Sequence, residues 1–341
     1  MLSRRETSES APTVRLHLST ARTRMIAAAA IAILLVLPAS AQGINWHTSL
    51  DDGLRAAEAS HKPMIVFVYL GADDDYVGQR EDISLTGDRA DRQRQVLDIR
   101  RMIDRTLTDA GVVAAARSFE PVMLDLRLKA NDDARERLKV SPVVSEGTDH
   151  RVGVYPITLF LDSHGDELFR RHGYLPPEAY ELQLLRAANL FDGLRETIAN
   201  PDDATARRNL GRAYMEMDFA RGDRFYEAAV RNLEMAVELD PRNESGASYD
   251  ARVDLAILRL PDNPTEALRA LAELQAEDEE DSRRLEIQYY MAVAHYVLED
   301  HAAAARILSD FETDDRRSHY FDSPWTPQAL GLLQYIRRHL N

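Results

Sequence analysis

Seven residues in unbroken apolar succession, Met64-Ile-Val-Phe-Val-Tyr-Leu70, stand between Lys62-Pro63 and Gly71. A strand with one wet face alternates polar and apolar residues, whereas an unbroken run of strand length is covered on both faces. Such a strand requires helices on each side of its sheet, and the flanking sequence supplies them. Leu50, Leu54 and Ala57 recur at helical spacing within 49–60, with Thr48 or Ser49 as N-cap, and His61-Lys62-Pro63 stops that helix. Residues 93–117 predict a long helix or helix pair with Val96, Ile99, Met102, Ile103 and Leu107 on one face. Strands are expected at 121–126, 157–161 and 167–171, with a turn at Asp162–Gly165 and a short helix over 130–138. Pro176 or Pro177 opens a last helix running to about Leu190. Strands interleaved with crossover helices make an α/β domain over residues 45–190.

Beyond Leu190 the pattern is helical only, with a break near Ala199-Asn-Pro-Asp-Asp203. Residues 192–341 divide into three helix pairs and a terminal helix. The first pair holds Leu210, Gly211 and Tyr214, then Ala229, Leu233, Ala236 and Pro241. These residues resemble the tetratricopeptide (TPR) repeat, in which small residues let two helices approach and large ones fill the space between them. Tyr214 to Ala229 spans 15 residues where the repeat has about nine, an enlarged turn. The second pair carries Leu255 and Leu258, then Ala267, Leu271 and Leu274. The third carries Tyr289, Ala292 and Tyr296, then Ala304, Leu308 and Phe311, and residues 327–340 form a capping helix. The resemblance implies an all-α TPR-like array that binds a protein or peptide in its groove. Tyr214, Tyr289, Tyr296 and Arg212 are its candidate partner-binding residues, and Arg207, Arg208, Arg283 and Arg284 are further carboxylate forks.

In the first domain, "HKPMIVFVYLGAD", "FEPVMLDLR" and "VYPITLFLDSHGDELFRRHGYLPPEAY" follow in an order similar to exported thioredoxin-like proteins. The resemblance implies that Pro156 is a cis proline facing the loop after the first strand, and that Asp125 holds the family's acidic position. Where that family carries W-C-x-x-C, this chain has Asp74, Asp75, Tyr76, Val77 and Gly78, with Asp75 and Gly78 at the two cysteine positions. Disulfide exchange needs one thiolate to attack and another to resolve. The chain contains no cysteine at all, which removes that reaction together with disulfides and cysteine-ligated metals.

Asp73, Asp74, Asp75, Glu81 and Asp82 are hard oxygen ligands, but their spacing fits no calcium loop. His150, His164 and His172 lack the close spacing of a zinc site. Ser84, Ser141 and Ser145 sit in no nucleophile elbow. No metal and no cofactor is expected. An enzyme using the Asp73–Tyr76 loop with the Pro156 loop is the alternative to a binding module.

Residues 1–41 read as a signal peptide. Five arginines precede or open the apolar run Met25–Leu37, and Ala39-Ser40-Ala41 presents a small-residue cleavage site before Gln42. A run of 13 apolar residues is short of the roughly 20 that a span requires. Cleavage removes five arginines and two glutamates, taking the net charge from −15 to −18. Such a surface repels nucleic acid and anionic lipid. The expectation is an exported, periplasmic or envelope protein that has no membrane span after signal removal and takes a protein or peptide as partner.

Overall fold

A computed structural model describes residues 43–70, 89–140, 155–217, 224–277, 283–313, 315, 318–321 and 323–339. The first region is a four-stranded mixed sheet with helices against it. Strands β1 (Met64–Tyr69), β2 (Glu120–Asp125), β3 (Ile157–Leu161) and β4 (Glu167–His172) stand in the order β2-β1-β3-β4. β1 pairs parallel with β2 and antiparallel with β3, and β3 pairs antiparallel with β4. All of Met64–Val68 is shut off from solvent, which is why β1 shows no alternation. His47 adds a single bridge beyond β2 by exchanging backbone hydrogen bonds with Pro121 and Met123.

Helix α1 (Leu50–Ser60) is capped by Ser49, whose hydroxyl accepts the Asp52 N–H at 3.1 Å. It lies so close to β2 that a Cβ on Gly53 would stand 2.2 Å from Val122 Cγ2. The stretch expected as one helix or a pair is broken twice. Helix α2 (Arg89–Arg101) widens into a π-turn at Met102–Thr106, and α3 (Ala110–Ala115) restarts behind Asp109. One long-range and one local contact explain the break: Thr106 gives its hydroxyl to Leu175 O at 2.8 Å, and Asp109 caps the N–H groups of Gly111 and Val112. The expected apolar face holds, with Ile99, Met102 and Leu107 buried. A short helix, α4 (Asp132–Arg137), follows β2.

Helix α5 (Pro177–Ala199) corrects the expected stop at Leu190, because it runs nine residues further. The boundary drawn at 190–192 therefore falls inside a continuous helix. Its second half has core of its own: Leu190, Phe191, Gly193 and Thr197 are buried, and Thr197 returns its hydroxyl to Gly193 O. The stop comes at Asn200, held out of helical geometry by Pro201.

An all-helical region follows: α6 (Ala204–Met215), α7 (Arg224–Leu239), α8 (Ala247–Arg259), α9 (Pro264–Glu277), α10 (Arg284–Val297), α11 (His301–Ser309) and α12 (Thr326–His339). Each helix packs on the next, α5 packs on α6, and α6 also touches α8. Gly211 is where α6 and α7 meet, since a Cβ there would lie 2.6 Å from Leu233 Cγ and 3.2 Å from Leu233 N. No helix among the described residues is long and apolar enough to cross a membrane.

Candidate functional site

Two places gather polar side chains. The first is the end of the sheet where β1 and β2 finish and β3 begins, with Tyr69 opposite Asp125 and Val68 opposite Ile157. The Tyr155–Pro156 peptide is cis. Pro156 is buried, and its carbonyl accepts the Gly173 N–H at 2.7 Å. The Tyr155 N–H donates to Gln95 Oε1 at 3.2 Å. The Tyr155 ring is wholly buried, and its hydroxyl has no hydrogen-bond partner among the described residues. Burial pushes that phenol up to about 12, so it stays protonated. Asp125 is gripped by Arg127, with Nη2 on Oδ2 at 2.6 Å and Nε at 3.0 Å from both oxygens, a bidentate clasp that occupies the carboxylate. Burial first, and the Asp125 charge second, raise the Tyr69 phenol. Among the described residues, this end of the sheet thus holds two phenols raised by burial and a carboxylate paired with Arg127. Asp74, Asp75, Tyr76, Val77 and Gly78 lie outside the described residues.

The second place is the helical region. Arg212 does not stand alone there. Its Nη1 donates to Asp254 Oδ1 at 2.9 Å and its Nη2 to Glu286 Oε1 at 3.1 Å, joining α6 to α8 and α10. Arg283 donates to the same Asp254 oxygen at 2.6 Å, to Glu286 at 2.8 Å and to the Asp250 carbonyl at 2.8 Å. Arg208 pairs with Asp250 at 2.7 Å, while its Nε stands 3.9 Å from Asp254 Oδ2, too far for a hydrogen bond. Both of those facing atoms are buried without a hydrogen-bond partner among the described residues. Asp254 is 0 % exposed and sits at the hub. Burial pushes its carboxyl up from the ordinary range, against the pull of the Arg283, Arg212 and Arg208 guanidiniums.

Arg208, Arg212 and Arg283 therefore meet Asp250, Asp254 and Glu286 across the first helices of all three pairs, with Glu216 pairing to Arg212 at 3.7 Å at the edge. Of the six, the arginines were legible as forks in the sequence, but their partners were missed. The available signal was Asp250 and Asp254, four apart on one helix face, with Glu286 three residues after Arg283.

The candidate tyrosines are dispersed. Tyr214 is 8 % exposed, with its ring 5.7 Å from Phe225. Tyr289 stacks on Trp325 at 5.5 Å, and Tyr296 lies beside His301 and Tyr335 near the end of α10. Arg212 also borders a polar cleft of about 260 Å³ between α5 and α6, walled by Asn189, Asp192, Glu196, Asn209 and Glu216. Among the described residues no three His, Asp or Glu side chains converge as metal ligands. No family model matches this chain, and no curated protein matches it.

Proposed function

We propose that this chain is a non-catalytic, exported protein-interaction module, an adaptor, assembly factor or holdase of the cell envelope. On this reading a cysteine-free thioredoxin-like domain carries a TPR-like array, and the array supplies the binding surface. The observation that carries the reading is the succession of helix pairs, α6/α7, α8/α9 and α10/α11, followed by the terminal helix α12. Stacked pairs expose a long side-chain surface suited to another polypeptide. The occupied carboxylate at Asp125 and the high phenol of Tyr155 weigh against acid–base catalysis at the sheet end. Removal of residues 1–41 would leave a protein beginning at Gln42, in which no helix among the described residues is long and apolar enough to cross a membrane.

The full chain, immobilised and exposed to envelope extract, should retain a protein that then binds the purified chain saturably in calorimetry. Failure of every retained protein to bind in the purified system would overturn the reading. Insulin reduction supplies an independent check. With no sulfur nucleophile in the chain, turnover should equal the uncatalysed background. Any rate above that background would contradict the loss of redox function.

A further inference from the structure

We draw no further inference here: the strongest candidate, the polar cleft of about 260 Å³ between α5 and α6, gathers the exposed carboxylates of Asp192, Glu196 and Glu216 as an acidic cluster, and nothing in the structure shows what fills it.

Discussion

Replacing Asp254 with alanine is expected to destabilise the protein by about 3–5 kcal/mol, read as a lowered midpoint in urea with an unchanged slope. Asp254 is inaccessible to solvent, and one of its oxygens takes bonds from both Arg212 and Arg283. Its removal leaves three guanidiniums sharing Asp250, Glu286 and the half-exposed Glu216, with Arg283 itself only 8 % exposed. A buried charge that has lost its partner cannot recover its hydration without opening the helices around it. The exposed Arg269–Glu273 pair provides the contrast, because Arg269→Ala should cost between about 0 and 1 kcal/mol. A loss below 1 kcal/mol at Asp254 would show that water reaches the network. The whole network need not add stability, since well-packed apolar residues in the same space often do as well. Its geometry instead specifies which faces of α6, α8 and α10 meet, because any other rotation strands a charge.

What the sequence disclosed follows the range of each interaction. β1 was legible because burial on both faces leaves a run that no other element of that length produces. The first helix pair was legible through Gly211 and Leu233, which touch so closely that only glycine fits. The length of α5 was not. Asp192, Arg195 and Glu196 break its apolar stripe at the surface, while Gly193 and Thr197 continue it inside against α6 and Phe191 packs on Phe119. The π-turn after α2 depends on Thr106 reaching Leu175, a partner 69 residues away that no local pattern announces. The ion network was hidden for the same reason. Arg212 and Asp254 are 42 residues apart, and the sequence, which marks Arg212 as a candidate fork for a partner, gives no sign that Asp254 is the carboxylate it meets. Tyr214 shows what sequence leaves unsaid about an aromatic side chain: its ring reads as a candidate anchor, and in the fold it is 8 % exposed and packs against Phe225.

Phe160→Ala should cost about 3–5 kcal/mol, and the loss should be felt at both ends of the described chain. Phe160 lies on β3 with no exposed surface. Its ring stacks on Phe169 at 4.3 Å and meets Phe119 edge-on at 6.1 Å. From these neighbours the ring contacts continue to Phe191 on α5 at 6.3 Å and to Phe225 on α7 at 5.9 Å, and from Phe225 to Tyr214 on α6. Arg224 adds a polar tie by donating to the carbonyl of Leu168. Sheet and helices are thus joined through close-packed rings, and residues 46–341 form one compact unit. A cavity at Phe160 removes contacts from Phe119 and Phe169 together, so it weakens the sheet core and its attachment to α7 in one step. Two tryptophans allow the consequence to be measured. Trp46 packs near Phe67 of β1, whereas Trp325 packs against Tyr289 and Tyr290 of α10. Urea unfolding followed by Trp46 fluorescence in a Trp325→Phe background, and the reverse, should give coincident transitions. Phe160→Ala should move both midpoints by the same amount. A shift seen by Trp46 alone would mean that the helices around Trp325 unfold independently of the sheet, and that the rings between them carry no cooperativity.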